Sequence, residues 1–412
     1  MQRILTLSLL ALSSQAVLAS GIGDWLADGK PIFDLRYRHE NVEQDNALRD
    51  AEAHTLRTRI GYRTGAWNGF SALVEIDHVG DLGGNSYNST RNGQAGHAVV
   101  ADPNGVAVNQ MLLRHDGSQA AVALGRQRIN LDNQRFVGGV AWRQNEQTYD
   151  AALLQFRPLN GMNFTYAWLG RVHTVFGPDN EPRANAANQA RLKGDSHLFN
   201  LDYAISPRLG LTAYHYRLDF DNAAVVPTAP LGTLSSATTG LRASGMVDGI
   251  SYAFEYARQK AASGNPWKLD SRYVLAEASY GFANKAMIKA GYEALGGDDG
   301  PGNRAFQTPL ATKHMFQGWA DMFLTTPADG VEDRYAGFSA PLGGGTFAAW
   351  YHDFQAERGS TDFGTEVDLS YARAIPVVKG LNALVKLARY TSDDRSRTVS
   401  TDKFWVQLQY AF

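Results

Sequence analysis

The chain has 412 residues, with 39 basic and 41 acidic side chains and no cysteine. The nearly balanced charge gives no reason to expect a nucleic-acid partner, and the absence of cysteine excludes disulfides, thiolate catalysis and thiolate metal sites. The mean hydropathy of −0.30, together with the lack of any long apolar run in the mature chain, excludes a bundle of membrane-spanning helices.

The first residues have the features of a secretory signal peptide. Arg3 makes the start basic, residues 4–12 are apolar, and Val17 and Ala19 are small residues suited to signal peptidase. We therefore expect cleavage after Ala19, which makes residues 1–19 a signal peptide. No linker, charge block or low-complexity tract divides the remainder, so residues 20–412 are expected to form a single domain.

Along most of the mature chain, apolar and polar residues alternate with a period of two. Such alternation predicts strands with two different faces. In one such strand Leu56, Thr58, Ile60 and Tyr62 alternate with Arg57, Arg59 and Arg63. Similar segments occur at 33–38, 214–220, 286–293 and 381–387.

The connections between these segments are alternately very short and long. Short ones occur at 65–69, 116–118, 158–161, 206–208, 248–249, 283–284, 341–345 and 376–380, and long ones at 81–104, 129–146, 173–193, 222–236 and 295–331. This rhythm is typical of bacterial outer-membrane barrels, with short periplasmic turns and long extracellular loops. We therefore predict an all-β fold, a transmembrane antiparallel β-barrel of about 18 strands with lipid-facing apolar residues. The alternative, a large periplasmic all-β protein, does not account for the two kinds of rim.

The last stretch, KFWVQLQYAF, has the pattern of a membrane strand that ends on an aromatic residue. Phe412 is therefore predicted to be the signal read by the barrel assembly machinery. Tyr62, Phe164, Tyr166 and Trp168 fall on the predicted outer face, where aromatic residues form belts at the membrane interfaces. Trp405 falls on the inward face, and we expect it to pack against a loop inside the lumen more than against a sugar ring.

Five stretches resemble the alginate export family of outer-membrane proteins: residues 125–151, 306–335, 350–359, 363–372 and 401–412. The resemblance is densest over the C-terminal quarter, and its most specific part is GWADMFLTTP at 318–327. It implies an 18-stranded barrel in the bacterial outer membrane with a positively charged pore for an alginate-like polyuronate. The implied partners are this anionic polysaccharide or a similar acidic solute, membrane lipid and lipopolysaccharide, the barrel assembly machinery and a periplasmic export scaffold.

A pore for acidic solutes needs cations in a narrow passage, and arginine can grip a carboxylate with two hydrogen bonds. The alternation places the following candidates in the lumen: Arg36, Arg38, Arg57, Arg59, Arg63, Arg217, Lys289 and Lys386. Arg126 and Arg128 lie in a family-like stretch and are further candidates, although they share a parity with Leu124. The alternative is that these cations pair with wall carboxylates such as Asp34 and Glu293.

The segment from Leu295 to Val331 is the longest connection and contains large apolar residues. Phe316, Trp319 and Phe323 recur at helical spacing, which predicts a short helix or turn packed on the barrel. We expect this segment to fold inward as a gate, with Trp319 as its anchor and Lys313, His314 and Asp321 as polar contacts. The alternative is a loop that only caps the barrel.

No pattern of catalytic residues is visible. His352 and Asp353 are adjacent in a strand and point to opposite faces, and no histidine pair has metal-ligand spacing along the chain. We expect no enzyme activity, no cofactor and no metal; the acidic residues of 296–303 are expected to be a solvated loop rather than a calcium site. The predicted function is a channel for an anionic polysaccharide or similar acidic solute. The alternative is an uptake porin for small organic anions.

Overall fold

A computed structural model describes residues 23–83, 86–178 and 186–412. The predicted signal peptide, residues 1–19, lies outside these ranges. Residues 23–27 form a short helical segment ahead of the first strand. Within the described residues, no helix is both long and apolar enough to cross a bilayer.

Eighteen strands make up almost all of the regular structure. They are β1 (Lys30–Gln44), β2 (Ala51–Arg63), β3 (Phe70–Asp81), β4 (Gly105–Asp116), β5 (Ala120–Gln127), β6 (Thr148–Phe156), β7 (Met162–His173), β8 (Arg191–Ser206), β9 (Leu209–Leu218), β10 (Ser236–Val247), β11 (Ile250–Ala261), β12 (Asp270–Gly281), β13 (Met287–Gly296), β14 (Gly330–Leu342), β15 (Gly345–Gln355), β16 (Asp362–Ala374), β17 (Leu381–Ser392) and β18 (Thr401–Ala411). A 3-10 helix spans Lys313–Met315.

Each strand pairs in antiparallel register with the next one along the chain, and β1 pairs with β18 to close the sheet. The closing register runs from Asp34 opposite Ala411 to Gln44 opposite Thr401. Beyond it, the Phe412 N–H donates to the Phe33 carbonyl oxygen at 3.1 Å. The prediction of a closed 18-stranded antiparallel barrel is confirmed, and closure leaves no unpaired strand edge in the membrane.

The two faces of the wall differ as the alternation predicts. On β2, Arg57 and Arg59 are buried in the interior. Ile60, on the opposite face of the same strand, is 60% exposed on the outside. Outward apolar residues can remain exposed because lipid, not water, surrounds this face. The short connections, such as 248–249 and 343–344, define the periplasmic rim, so the long connections lie on the extracellular side.

The predicted facing of β9 is wrong. Tyr214, Tyr216 and Leu218 are buried in the interior, and Arg217 is exposed on the outer face near the extracellular end. Arg217 therefore does not line the pore. The prediction assumed that polar residues face the interior. Here the interior neighbours of the strand are aromatic loop residues rather than water, so its apolar face points inward.

The barrel interior is largely filled by two extracellular loops. We call them L3 (residues 128–147, between β5 and β6) and L7 (residues 297–329, between β13 and β14). Phe136 and Val137 of L3 and Phe306, Leu310 and Phe323 of L7 belong to one buried apolar cluster with inward residues of the wall. The main core of the protein is thus inside the barrel, where the candidate site is formed.

Candidate functional site

L3 and L7 contact each other inside the barrel. Val137 and Leu310 form an isolated parallel bridge, and the Gly138 N–H donates to the Leu310 carbonyl oxygen at 2.9 Å. The Gln147 side-chain amide donates to the same carbonyl oxygen at 3.0 Å. The two loops therefore form one joined structure across the lumen.

An aromatic cluster holds these loops against the wall. The Phe136 ring lies 5.2 Å from the ring of Tyr214 and 5.2 Å from that of Tyr273, and 5.9 Å from the L7 residue Phe306. Aromatic pairs at these separations contribute beyond their buried area. This packing explains why β9 turns its tyrosines inward.

The arginines of β1 hold the backbone of L3. Nη1 of Arg36 donates to the carbonyl oxygens of Ala141, Trp142 and Arg143 at 3.0 to 3.3 Å. Arg38 donates to the Trp142 carbonyl and to Gln407, and its guanidinium lies 4.0 Å from the Trp142 ring centroid. Both predicted pore arginines are therefore inside the barrel, but they bind a loop.

Arg59 on β2 is surrounded by carboxylates. Its guanidinium donates two 2.7 Å hydrogen bonds to Asp77 and a third, at 3.0 Å, to Glu146 of L3, and it lies 3.4 Å from Glu75. Arg128 of L3 also pairs with Glu146. Burial raises the pKa of Glu146, but the two arginines more than offset it and lower that pKa to about 2. Arg59 and Arg128 are thus neutralised within one network.

Arg57 is less fully paired than Arg59. Its Nη2 donates to Asp34 at 2.7 Å, whereas Nε and Nη1 are buried and have no hydrogen-bond partner among the described residues. The Asp34 carboxylate also accepts a hydrogen bond from Gln409 at 2.6 Å. Arg57 therefore retains two buried donors without a partner, and Nε of Arg36 is a third.

A second part of the wall, β13 to β16, presents buried carboxylates. Glu293, Asp333, Glu366 and Asp368 are almost fully buried there. Their cations come mostly from elsewhere: Arg135 of L3 donates to Glu293 at 2.6 Å. His352 lies 3.0 Å from Asp333 and belongs to the same wall. This sector consequently depends on the loops for neutralisation.

The tip of L7 binds the carboxylates of β16 through its backbone. The Ala320 N–H donates to Glu366 at 2.6 Å, and the Trp319 N–H donates to Asp368 at 3.2 Å. Gly318 has φ +77°, and a Cβ on it would lie 2.3 Å from an oxygen of Glu366. Only glycine allows the backbone to approach this closely.

Lys386 of β17 occupies a cage formed by both loops and the wall. Its Nζ lies 3.6 Å from the ring centroid of Trp319 and 4.3 Å from that of Trp142, and 5.4 Å from that of Trp405. A cation over several desolvated aromatic faces is strongly attracted by them. Trp405 is fully buried, in keeping with its expected packing against an inward loop.

His314 links this cage to the rest of L7. Its Nε2 lies 2.6 Å from Lys386 Nζ, and its Nδ1 lies 2.8 Å from Asp321. These contacts fit a neutral ring that accepts from the ammonium and donates to the carboxylate. Burial, with the charges of Lys386 and Arg143, lowers the pKa of His314 to about 3 despite the opposing effect of Asp321.

Asp321 joins L7 to the last strand. It accepts a hydrogen bond from Lys403 at 2.9 Å. Burial raises the pKa of Asp321, but His314, Lys403 and Arg143 together lower it below its usual range. Lys313 donates to the Leu324 carbonyl within L7. The four residues proposed for the gate, Lys313, His314, Trp319 and Asp321, are thus brought together in or beside the interior.

Comparisons with known proteins give the family of this chain and similar solved structures. The family model described as "Alginate export" matches residues 33–323, most of the chain. The chain belongs to the alginate export family. The matched region ends within the GWADMFLTTP stretch, so the expectation that the likeness is densest over the C-terminal quarter is not supported. A search of curated proteins found no significant match.

Solved structures similar to this alginate export family member show the same fold at low sequence identity. OccK3 (OpdO) of Pseudomonas aeruginosa has a TM-score of 0.71 and 14% identity, over 96% of this chain and 98% of that chain. OccAB4 of Acinetobacter baumannii has a TM-score of 0.71 and 14% identity, over 94% and 100%. The outer membrane protein OpdK of Pseudomonas aeruginosa has a TM-score of 0.70 and 13% identity, over 94% and 99%.

The other predicted pore residues of this family member differ in setting. Lys289 is inside the barrel and pairs with Glu277 at 2.7 Å. Arg126 pairs with Asp150 at 2.7 Å. Arg63 is exposed at the periplasmic end of β2 and makes no ion pair within the described part of the chain. Arg63 therefore occupies an inward-facing position at the periplasmic mouth of the barrel and does not reach its narrow region.

The spacing of Phe316, Trp319 and Phe323 does not produce a helix. The 3-10 helix Lys313–Met315 precedes these residues, and turns and bends follow it. Gln317, Gly318 and Asp321 have positive φ, which interrupts any helical run. The prediction of an inward segment anchored by Trp319 agrees with the contacts, but the predicted helix is replaced by turns.

Sequence reasoning missed the L3 residues that cross the lumen, Arg135, Trp142 and Arg143. They lie in a loop, where alternation with a period of two does not indicate which way a side chain points. Arg143 pairs with Glu40 of β1, and Arg135 reaches β13. The signal that could have found them is the presence of several arginines and a tryptophan in a family-like stretch between two strands.

Proposed function

We propose that this chain is a selective channel for acidic solutes in the bacterial outer membrane. Membership of the alginate export family and the closed 18-stranded barrel support an outer-membrane channel. Selectivity for acidic solutes is the further step, and it depends on the cations of β1 and β2. The protein's role is passage, and no direction is built into such a pore.

The observation that supports an acidic solute is the set of unused arginine donors. Nε and Nη1 of Arg57 and Nε of Arg36 are buried and have no hydrogen-bond partner in the described chain. A buried unpaired donor costs free energy, and a carboxylate would satisfy it with charge-assisted hydrogen bonds. Arg57 is fully buried in this arrangement, so an acidic solute would reach its two unpaired donors only when the groups that cover them move aside.

The space between the loops favours small solutes in the arrangement described. On the extracellular side of the joined loops lies a cavity of about 440 Å³. It is lined by apolar residues and by Arg143, Lys313, His314 and Lys403, with Asp321 as its acidic residue. A volume of this order holds one small organic molecule. We infer that this cavity holds a single small organic anion while L3 and L7 remain joined.

An alginate-like polyuronate is the second candidate, and the family match favours it. A polymer fills the passage along its whole length, so L3 and L7 would have to separate. Separation would break the hydrogen bonds of Gly138 and Gln147 to Leu310, those of Thr312 with Gln134 and Val140, and that of Arg135 to Thr308, so it costs several hydrogen bonds at once.

The test measures reversal potentials in planar bilayers under a salt gradient for wild type, Arg57→Gln and Arg59→Gln. Anion preference is expected in the wild type, and both variants should shift toward cations. Arg59→Gln should shift further, because it leaves Asp77, Glu75 and Glu146 with less compensation. High salt should reduce each shift, since the screening length falls to about 3 Å at 1 M. Cation preference in the wild type would contradict the proposal.

A second measurement separates the two solute classes. Liposomes containing the protein are given monomeric uronate, matched neutral sugar and oligouronates of increasing length. Faster swelling with the monomeric acid than with the neutral sugar, and none with the longer acids, would support the small-anion function. Passage of long oligouronates would favour the polysaccharide function instead.

A further inference from the structure

Three side chains with metal-ligand chemistry meet on the outer face of β1 and β2. His39 and His54 oppose each other across the strand pair, with ring centroids 4.6 Å apart. Glu52 lies two residues before His54 on the same face, with its carboxylate 3.1 Å from His54 Nε2. The three candidate ligand atoms all lie within 4.8 Å of one another.

A tyrosine orients one of these histidines. The Tyr37 hydroxyl lies 2.9 Å from His54 Nδ1, which leaves Nε2 directed toward Glu52. A hydrogen bond on the far nitrogen is the usual way in which proteins fix a metal-binding imidazole. Nδ1 of His39 is buried and has no hydrogen-bond partner among the described residues. The cluster thus has an oriented ligand and an unsatisfied one.

A similar arrangement on β7 and β8 lacks one component. There the Tyr166 hydroxyl lies 2.9 Å from His197 Nδ1, and Asp195 lies 3.6 Å from His197 Nε2. The residue opposite His197 is Trp168, whose indole N–H donates to Asp195. The two clusters share tyrosine, histidine and carboxylate, but only the β1–β2 cluster has a second imidazole.

We propose that His39, His54 and Glu52 bind a divalent transition-metal ion, with Zn²⁺ as the best match. Two imidazoles and one carboxylate suit Zn²⁺, Ni²⁺ or Cu²⁺, whereas Mg²⁺ and Ca²⁺ require oxygen ligands. The ion binds between His54 Nε2 and Glu52, the ring proton moves from Nε2 to Nδ1, and Nδ1–H then donates to the Tyr37 oxygen. Three protein ligands leave a fourth position for water or an oxygen of a lipid phosphate.

The geometry needs only a small adjustment. Ligand atoms on one tetrahedral Zn²⁺ are about 3.3 Å apart, given bonds of about 2.0 Å. The side chains of His54 and Glu52 are 31% and 59% exposed, so they can rotate, and an ion can approach from outside the barrel. The site is separate from the channel interior, because it lies on the opposite face of the wall from Arg38 and Arg57.

The test is calorimetric titration of the full-length protein, without a polyhistidine tag, with Zn²⁺ in detergent. One site per chain is expected at pH 7.5, and Mg²⁺ should give no signal. His39→Gln and His54→Gln should abolish binding, and Tyr37→Phe should weaken it about tenfold, as loss of an orienting partner does. His197→Gln is the matched control and should bind like the wild type. Heat-modifiable mobility checks that each variant is folded.

A gain-of-site variant tests the role of the second imidazole. Trp168→His places a histidine opposite His197 and should raise the stoichiometry from one Zn²⁺ to two. Zn²⁺ binding that survives in both His39→Gln and His54→Gln, or no binding in the folded wild type, would overturn the proposal. A single site in folded Trp168→His would contradict the deciding role given to the opposed histidine pair.

Discussion

Two sectors of the inner wall are neutralised in different ways. Arg57 and Arg59 of β2 pair with carboxylates of the two adjacent strands, Asp34 of β1 and Asp77 of β3. On β13 to β16, the buried carboxylates are paired largely by groups from L3 and L7. When the loops leave, the first sector keeps Asp34 and Asp77 as the partners of Arg57 and Arg59, although Arg59 loses Glu146, whereas the second sector loses most of its partners.

The loops therefore compensate the charge of the wall carboxylates as well as narrowing the lumen. Withdrawing L7 would uncover Glu366 and Asp368 and change the lumen's charge as well as its width. The same movement would leave the arginines of β1 and β2 almost as well paired as before. Withdrawal of L7 should therefore raise the conductance and, at the same time, shift the selectivity toward cations.

The largest effect is expected from deleting residues 309–326 and bridging the ends with a short Gly/Ser link. Single-channel conductance should rise severalfold, because the tip of L7 no longer occupies the lumen. The reversal potential should move toward cations, because the backbone N–H groups of Trp319 and Ala320 no longer compensate β16. Planar-bilayer recording measures both quantities.

The matched control is the same deletion combined with Glu366→Gln and Asp368→Asn. It should keep the high conductance and recover most of the wild-type selectivity. Unchanged conductance in a well-assembled deletion variant would end the gating hypothesis and leave L7 as a cap.

A smaller effect is expected when the L3 contact with β13 is broken. Arg135→Met leaves Glu293 buried without its cation, a change that typically costs about 3–5 kcal/mol. Amide hydrogen exchange of residues 133–147 should accelerate, because L3 leaves the wall more often. The double variant Arg135→Met/Glu293→Gln should restore most of the protection. Equal exchange in wild type and single variant would show that the aromatic cluster alone holds L3.

The smallest effect is a pH dependence that arises from His314. A released L7 would titrate with an ordinary histidine pKa of 6.5, whereas docking lowers the pKa of His314 to about 3. Between these values the released loop takes up the proton, so docking weakens as pH falls, by about 1.4 kcal/mol per pH unit. Asp321 stays ionised in most of this window because its pKa is lowered, so its contribution stays constant until the pH approaches 3.8.

Recording at pH 7.5 and pH 5 should therefore show more frequent or larger openings at the lower pH. His314→Gln keeps a polar side chain that does not titrate, and it should remove the difference. An identical pH dependence in His314→Gln would assign the titration to another group facing L7.

The barrel could be predicted from the sequence because the membrane imposes one rule on every strand. Outward residues must be apolar and backbone groups must be paired, and both requirements leave a period of two in the chain. Strand number, the two rims and the inward facing of Arg57, Arg59 and Lys386 follow from that rule.

The interior could not be predicted in the same way. Arg217 and the tyrosines of β9 violate the rule of polar interior residues because L3 fills that part of the lumen with Phe136. The metal-ligand cluster was also invisible, since His39 and His54 are neighbours only through the register of β1 with β2. Insertion of a loop into the lumen and contact between side chains on different strands depend on distant parts of the chain. Local alternation of polar and apolar residues cannot predict either.

The seam between β1 and β18 has a consequence for the barrel before it closes. Asp34 and Gln409, which are bonded across it, are 375 residues apart in sequence. Until β1 and β18 pair, each presents a free edge, which readily pairs with other chains. Before closure the sheet must therefore be kept apart from other chains, and its final protection against aggregation comes all at once, when β1 and β18 pair.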